Sequence, residues 1–374
     1  MATTEKPPYS PGLDGVIAGE SAICSVDPDA GLHYRGYDVE ELARKVSFEH
    51  VAWLLLHGEL PNTAELDGFK KQLSAAAALP KEAVQMLRCF PKVARPMDVL
   101  RTGVSALAAF DPDVGHVDHT ANARKAVRLL ARMTSVTTAG WRIAHGQEPI
   151  FTGDLSLAGR ILMELSGKRP EPWEEKVVNA VYVLYAEHEF NASTFAARVT
   201  ASTLADMYAA VASAIGTLEG TLHGGANETA MAMLRDIGSE AKAEAWVKER
   251  LAKKEKIMGF GHRVYKHGDS RVPMMRSLLD ELSEKTGQHQ WPAICRKLEA
   301  VLEKEKGLFA NLDLYAAPVL DLLGIPVALN TPLFACARVS GWCAHVIEQQ
   351  DHNRIIRPRC LYTGPAVRKV PSAI

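Results

Sequence analysis

The sequence lacks an excess of charge of either sign. Its 374 residues include 43 lysines and arginines against 44 aspartates and glutamates, which gives a formal net charge of -1. A nearly neutral protein has no general attraction to nucleic acid or to an anionic membrane surface. Any cationic binding site must therefore be local, and we expect its ligand to be small.

Cysteine motifs and long apolar runs are also missing. The six cysteines are scattered without a C-x-x-C pair, which argues against a disulfide framework or a zinc ribbon and favours a reducing compartment. Residues 1–15 have neither the apolar core of a signal peptide nor an arginine-rich transit pattern. The stretch nearest to a membrane span, 200–218, contains Asp206 and many Ala, Ser and Thr residues, so we expect a buried helix there. These features predict a cytoplasmic protein that binds neither nucleic acid nor membrane.

Helical periodicity is what the sequence has in abundance. Alternation and Gly/Asp turns favour a hairpin near residues 14–35, and residues 38–58 then start with Asp and stop with Gly as a helical segment would. Proline and glycine fall between the later periodic segments, which predicts a mainly α fold. Those segments are 63–78, 96–109, 120–144, 154–166, 172–187, 193–216, 227–236, 240–254, 272–285, 292–306, 313–323 and 332–350.

Glycine and lysine concentrate in one part of the chain. We expect residues 223–331 to form a smaller helical domain, inserted between two parts of a larger one, 1–222 and 332–374. The small residues of 200–218 are typical of helices whose backbones pack closely, in a core or at a subunit interface. A homodimer is therefore expected.

Two residues stand out by their local context. His223, in "LHGGANE", precedes a helix expected to begin at Ala226 or Asn227, where a positive charge is disfavoured, so a neutral hydrogen-bonding imidazole is predicted. Arg338 shares a helical stripe with Phe334 and Trp342, where a guanidinium is costly to bury unless an anion or acceptors meet it. A turn histidine and a snorkelling surface arginine are the structural alternatives.

Other candidates are weaker when taken singly. The segment "GFGHRVYKHGDSR", 259–271, is a basic cluster behind a flexible Gly-Phe-Gly, and a solvated loop explains it equally well. Asp313 begins a short apolar helix, where ordinary capping accounts for an aspartate. His188 resembles half of a zinc H-E-x-x-H motif, but Ala192 occupies the second position and the metal interpretation fails. Histidines, arginines and one carboxylate remain, a set suited to metal-free acid–base chemistry on an anionic substrate.

Taken together, the motifs resemble the citrate synthase family. They follow that family's order and cover residues 12 to 365. The segments that carry the resemblance are "LHYRGYD", "MDVLRTGVSAL", "LYAEHEFNASTFAARV", "LHGGANE", "GFGHRVYKHGDSR", "NLDLYAAP", "PLFACARVSGWCAHVIEQ" and "NRIIRPRCLYTGP".

The resemblance implies an all-α homodimer whose small domain closes over the substrates. It implies condensation of acetyl-CoA with oxaloacetate to citrate, followed by thioester hydrolysis, with no cofactor besides the coenzyme A substrate and no metal. Three residues take catalytic roles by resemblance: His223 stabilises the enolate, His262 polarises and protonates the oxaloacetate carbonyl, and Asp313 removes the α-proton.

Binding roles follow from the same resemblance. Oxaloacetate binding is implied for His188, Arg271, Arg338 and Arg357, the last offered to the neighbouring subunit. Planar guanidinium groups suit the two carboxylates of oxaloacetate. Coenzyme A binding is implied for Gly259, Phe260, Gly261, Arg263, Lys266 and Asn311.

Two alternatives stay open at this point. The protein is either a citrate synthase or a 2-methylcitrate synthase that uses propionyl-CoA, and one extra methylene changes discrimination by only ~1–3 kcal/mol, so dual activity is expected. A helical scaffold without catalysis is the alternative of another class, and the presence of His223, His262 and Asp313 together argues against it. A metal hydrolase is a further possibility that the motifs do not favour.

Overall fold

The structure, a computed structural model, describes residues 9–27, 30–261 and 268–370. Within these ranges the chain is mainly helical, which confirms the predicted fold class. The helices are α1 Val39–Lys45, α2 Phe48–His57, α3 Thr63–Ala76, α4 Lys81–Arg88, α5 Pro96–Leu107, α6 His119–Ala144, α7 Leu157–Ser166, α8 Pro172–Tyr185, α9 Ala192–Ala201, α10 Met207–Leu218, α11 Ala226–Ile237, α12 Glu240–Ala252, α13 Val272–Thr286, α14 Gln290–Lys306, α15 Leu312–Leu322 and α16 Asn330–Asp351.

A small antiparallel sheet precedes the helices. Strands β1 (Cys24–Asp27) and β2 (Gly31–Tyr34) form the predicted hairpin, and a short β3 (Tyr37–Asp38) extends it. The Tyr34 hydroxyl lies 3.0 Å from the carbonyl oxygens of both Val183 and Glu187. This buried tyrosine ties the sheet to the carboxyl end of α8.

The single helix predicted over 193–216 is wrong, because the chain forms α9 and α10 there. Leu204 takes a left-handed backbone conformation with φ 64°, which interrupts the helix. Asp206 then caps α10 by accepting a hydrogen bond from the Ala209 amide at 3.0 Å. An aspartate that satisfies a free amide at a helix start favours a new helix over the continuation of the old one.

The segment 38–58 also divides into two helices. Asp38 caps α1 and Gly58 ends α2 in the left-handed conformation, as the sequence predicts. Between them, Ser47 forms a capping box with His50 and starts α2 afresh. Helix α4 is an additional element that the periodicity did not indicate.

Helix α16 forms the centre of the larger part of the fold. Almost every residue from Asn330 to Ile347 is buried, and the helix packs against α2, α6, α8, α9 and α10. Helices α11 to α15 pack mainly on one another, and α11 also touches α16. The domain bounds 1–222 with 332–374 and 223–331 stay a prediction. No helix in the described ranges has both the length and the apolar character needed to span a membrane.

Candidate active site

A cavity of about 1470 Å³ lies between the carboxyl end of α8, the amino ends of α11, α13 and α15, and the middle of α16. Most of the predicted site residues line it. They are His188, His223, Gly259, Phe260, Gly261, Arg271, Asn311, Asp313 and Arg338.

The other predicted site residues either lie away from this cavity or fall outside the described residues. Arg357 is exposed in the irregular segment that follows α16, away from this cavity within its own chain. His262, Arg263 and Lys266 lie outside the described residues, as does His267.

Two arginine side chains converge on the last carbonyls of α8. Arg338 Nε donates to the Tyr185 carbonyl at 2.7 Å, and Arg271 Nη1 donates to the Leu184 carbonyl at 3.4 Å. The last carbonyls of a helix have no partners within it and carry the negative end of its dipole. The end of α8 therefore attracts and orients both guanidinium groups.

Arg271 is held by a buried carboxylate that the sequence did not single out. Its Nε and Nη2 donate to the two oxygens of Asp269 at 2.9 and 2.7 Å, a bidentate pair. Asp269 is buried and also accepts from the Leu312 amide at 3.2 Å. Burial opposes ionisation of Asp269, but the charge and hydrogen bonds of Arg271 hold its pKa well below the usual range. The aspartate therefore fixes the guanidinium and links α13 to the start of α15.

Arg338 is 1% exposed on the buried stripe of α16. Its guanidinium carbon lies 4.8 Å from the centre of the Phe334 ring, and among the described residues its side chain makes one hydrogen bond, through Nε. Burial lowers its pKa, and the nearby Glu187 carboxylate opposes that effect. The terminal nitrogens of this buried cation are thus left for an acceptor in the cavity.

Glu187 belongs to a buried charged network behind Arg338. His345 Nε2 lies 3.0 Å from Glu187 Oε1, and Arg198 Nη1 lies 3.0 Å from His345 Nδ1. Arg198 also pairs with Glu348 at 2.6 Å. Because an arginine can only donate, His345 accepts through Nδ1 and donates through Nε2 to Glu187. The network holds one oxygen of Glu187, while Oε2 has no hydrogen-bond partner in the described chain.

Asp313 is a titratable carboxyl group that lines the cavity beside the two arginines. It lies in the first turn of α15, where its amide donates to the side chain of Asn311 at 3.1 Å. Its Oδ1 accepts from the Tyr185 hydroxyl at 3.1 Å. Burial raises the pKa of Asp313 to about 6, although the charge of Arg271 and the bond from Tyr185 act in the opposite direction. A carboxylate of this basicity accepts a proton more readily than an ordinary aspartate does.

His223 is neutral at physiological pH. Burial, reinforced by the positive charge of Arg338, lowers its pKa to about 4. The lowered pKa agrees with the neutral imidazole predicted from the sequence, but its main cause is burial and not the start of a helix. The Ser193 amide donates to His223 Nε2 at 3.3 Å, and the Ser193 hydroxyl oxygen lies 2.8 Å from the same nitrogen. Because a backbone amide can only donate, Nε2 is the acceptor and the ring carries its proton on Nδ1. Nδ1 is therefore a hydrogen-bond donor.

The Gly-Phe-Gly segment forms the rim nearest to α15. The Asn311 amide donates to the Gly259 carbonyl at 2.9 Å, and the Gly261 amide donates to the Phe309 carbonyl at the same distance. Gly259 has φ 81°, and a Cβ there would lie 2.9 Å from the Cβ of Leu314. Only glycine fits this approach. Phe260 thus forms an isolated antiparallel bridge with Ala310, just before α15.

Sequence analysis missed Tyr185, Asn227, Asp269 and Glu187. Each lies within a motif quoted for the resemblance, but none has a spacing that reveals its partner. The roles of Tyr185, Asn227 and Glu187 depend on contacts with residues 42 to 158 positions away. Asp269, in contrast, pairs with Arg271 only two positions further along the chain. Only the burial of a charge, as for Asp269 beside Arg271, is a signal that sequence reasoning could have used.

The cavity can bind an anion and move a proton. It combines two buried guanidinium groups with a carboxylate of raised pKa and a neutral imidazole donor. In the described parts of the chain, no three His, Cys, Asp or Glu side chains lie together as metal ligands would. Proton abstraction next to a carbonyl in an acidic substrate is the chemistry that these groups suit.

Comparison with known proteins finds similar sequences over almost the whole chain. The model of the citrate synthase family, C-terminal domain, matches residues 12–359. The citrate/2-methylcitrate synthase of Bacillus subtilis is 45% identical over 364 residues, covering 96% of this chain and 98% of that protein. The 2-methylcitrate synthase of Shewanella oneidensis is 43% identical over 362 residues, covering 96% of each chain.

A solved structure is similar over almost the whole fold. It is the citrate synthase of Thermoplasma acidophilum in a ternary complex with carboxymethyl coenzyme A and oxaloacetate. The match has a TM-score of 0.92 and 32% identity, and it covers 98% of this chain and 99% of that one. The chain belongs to the citrate synthase family.

Gly341 is predicted to be essential for the packing of Glu187. A Cβ at position 341 would overlap Glu187 Oε2 and lie 2.6 Å from the Ala186 carbonyl oxygen. Gly341→Ala should therefore destabilise the protein by about 1–3 kcal/mol, measured by urea unfolding.

The control is Gly68→Ala in α3. A Cβ there meets nothing within 4 Å, so the variant should be stabilised by about 0.5–1 kcal/mol through helix propensity alone. Equal stability changes in the two variants would show that Glu187 does not require glycine at position 341.

Proposed function

We propose that this protein condenses acetyl-CoA with oxaloacetate and hydrolyses the resulting thioester to release citrate and coenzyme A. The observation that carries the proposal is the placement of Asp313, His223, Arg271 and Arg338 around one cavity. Relatives of the chain include a citrate synthase, a 2-methylcitrate synthase and a citrate/2-methylcitrate synthase. The family and the cavity together support this reaction class.

Oxaloacetate binds first to the guanidinium groups. The terminal nitrogens of Arg338 and the guanidinium group of Arg271 meet its carboxylates, and His188 adds a further contact. Since α8 and Asp269 already fix both arginines, little side-chain entropy is lost when the oxo acid binds. The same charges polarise the keto group towards attack.

Asp313 then removes a proton from the α-carbon of the thioester. This proton is only weakly acidic, so the developing enolate needs a donor beside it. His223 supplies that donor through Nδ1–H, because Nε2 accepts from Ser193. A neutral imidazole keeps its proton until the oxygen becomes basic enough to compete for it.

The enolate carbon attacks the keto carbon of oxaloacetate and forms the new carbon–carbon bond. The keto oxygen becomes a hydroxyl group by taking a proton, the role that the resemblance implies for His262. Water then cleaves the thioester to give citrate, coenzyme A and a proton. Each step uses side chains for proton transfer and charge stabilisation, so we propose no cofactor and no metal.

The coenzyme A part of the substrate is assigned to the Gly-Phe-Gly rim. Gly259, Phe260 and Gly261 let the ligand approach the backbone, and Asn311 holds the rim by donating to the Gly261 carbonyl at 3.0 Å. Arg263 and Lys266 are proposed to face its phosphates. We propose that the domain containing this rim closes over the cavity when oxaloacetate binds.

We further propose a cytoplasmic homodimer in which Arg357 completes the partner's site. The irregular segment after α16 is exposed and carries apolar side chains that a single chain leaves in solvent. Several exposed apolar side chains within one segment favour an interaction surface. They are Ile355, Leu361, Tyr362, Val367 and Val370.

A second acyl substrate is supported by the relatives. Because the Bacillus subtilis protein is named for both activities, we propose that propionyl-CoA is accepted more slowly and yields 2-methylcitrate. A pocket discriminates weakly against one extra methylene.

The two thioesters should differ in kcat/KM by about tenfold in favour of acetyl-CoA, because the added methyl group must fit beside Asp313 and His223. The measurement is thiol release from each thioester with oxaloacetate at saturation, and with oxaloacetate omitted as the control. A preference for propionyl-CoA would reverse the assignment. Absence of release with either substrate would support the non-catalytic scaffold.

Asp313→Asn should abolish turnover and raise stability. The carboxylate is the active form, so kcat/KM of the wild type should fall as pH drops through about 6.

A carboxyl group whose pKa is higher in the folded state than in the unfolded state stabilises the fold below its unfolded pKa. This stability is lost as pH rises through the folded pKa. Removing the charge should therefore stabilise the fold by about 1–3 kcal/mol at pH 7 and by less at pH 4. A variant that is both inactive and destabilised at pH 7 would contradict this role.

Arg357→Ala and Asp313→Asn should complement each other when the two chains are co-expressed. Each variant alone loses activity, but a hybrid dimer contains one site with both residues, so about one quarter of wild-type activity should return. Arg368→Ala, an exposed arginine in the same segment, is the control and should stay active alone. Failure of the hybrids to regain activity would place Arg357 outside the partner's site.

A further inference from the structure

Three buried polar side chains, those of Asn330, Asn227 and Tyr185, form one continuous hydrogen-bonded chain that ends at Asp313. Asn330 Nδ2 donates to Asn227 Oδ1 at 3.0 Å, and Asn227 Nδ2 donates to the Tyr185 hydroxyl at 2.8 Å. The Tyr185 hydroxyl donates to Asp313 Oδ1 at 3.1 Å. Asn330, Asn227 and Tyr185 are each at most 1% exposed. Buried groups of this kind are held firmly, since breaking any bond would leave an unsatisfied polar atom.

The direction of donation in this chain is set by the ionised Asp313, which can only accept a hydrogen bond. The amide of Asn330 donates to the oxygen of Asn227, which turns the amino group of Asn227 towards Tyr185. A tyrosine hydroxyl has one proton, and because its oxygen accepts from Asn227, that proton is directed to Asp313. Asp313 Oδ1 is therefore an acceptor whenever the chain is intact, and a proton taken up by this carboxyl group goes to Oδ2.

Tyr185 has no freedom to turn away. Its ring packs at 4.1 Å from the ring of Phe334, and its carbonyl oxygen receives Arg338 Nε at 2.7 Å. The same residue therefore fixes the proton acceptor through its side chain and a substrate-binding arginine through its backbone.

We propose that Tyr185, oriented by Asn227 and Asn330, is a positioning residue that holds Asp313 with Oδ2 towards the acyl α-carbon. This inference rests on the proposed function in one respect, the identity of the carbon acid. The orientation of the carboxyl group itself follows from the hydrogen bonds alone.

The charged groups around Asp313 define what a change at Tyr185 would do. Arg271 and Arg338 stabilise the carboxylate, Asp269 destabilises it, and the Tyr185 bond adds to the stabilising side. Because His223 is neutral, it does not alter the charge balance. Loss of the tyrosine hydroxyl removes one stabilising contact and should raise the pKa of Asp313 further.

Tyr185→Phe tests the proposal. The pH below which kcat/KM falls, the acidic limb of the pH profile, should move to higher pH by about one unit. At a fixed pH on this limb, activity should therefore fall about tenfold, and it should partly recover at higher pH. The plateau of kcat/KM at high pH should also be lower. This loss should come from a lower kcat and not from a higher KM, since substrate binding does not use the hydroxyl. Tyr315→Phe is the matched control: Tyr315 is a buried tyrosine on α15 that donates to Glu299, outside the cavity, and its loss should not move the limb.

The test also uses a second variant, Asn227→Asp, and a titration of Asp313 that does not depend on turnover. Asn227→Asp replaces the donor with an acceptor, draws the tyrosine proton away from Asp313 and should shift the limb in the same direction. Infrared titration of the Asp313 carboxyl band, identified by its loss in Asp313→Asn, measures the same shift without turnover. An upward shift in both variants supports the inference even if no thioester is consumed, in which case only the proposed function fails. An unmoved band in both variants overturns it.

Discussion

The burial of two guanidinium groups at the carboxyl end of α8 is the constraint on which the rest of the site depends. Arg271 and Arg338 are almost wholly removed from solvent, and such charges are costly unless acceptors surround them. The chain supplies helix carbonyls to both, a bidentate aspartate to Arg271 and the Glu187 charge beside Arg338. An anion that enters the cavity meets cations that are already fixed in place, so its binding energy need not order them.

The same arrangement explains why Asp313 is poised to take a proton. Burial makes its charge unfavourable, whereas the arginines and Tyr185 limit the effect, and the resulting pKa of about 6 leaves the group ionised but basic at neutral pH. His223 completes the site because burial beside Arg338 keeps it neutral. One region of positive potential thus attracts an acidic substrate, restrains the base and, together with burial, keeps the His223 imidazole neutral.

The sequence predicts the helical class well because apolar periodicity and caps are local signals. The wrong prediction of a single helix over 193–216 is local too. The break at Leu204 and the new cap at Asp206 lie inside a run whose composition favours helix throughout. For the site, the sequence indicated an anionic ligand, because an arginine such as Arg338 in an apolar helical stripe needs an acceptor for its charge. The bonds of Tyr185 to Asp313 and of Glu187 to His345 could not be predicted, because they join helices that are distant in sequence and come together only through tertiary packing.

The central claim is that one cavity holds the oxo acid on the two arginines and the acyl group against Asp313. A crystal structure of this protein with oxaloacetate and carboxymethyl coenzyme A tests it most directly. The account predicts the carboxylates of oxaloacetate on Arg338 and Arg271, and the acyl end of the analogue between Asp313 and His223. Oxaloacetate bound away from both arginines, or an acyl end that does not reach Asp313, would contradict it.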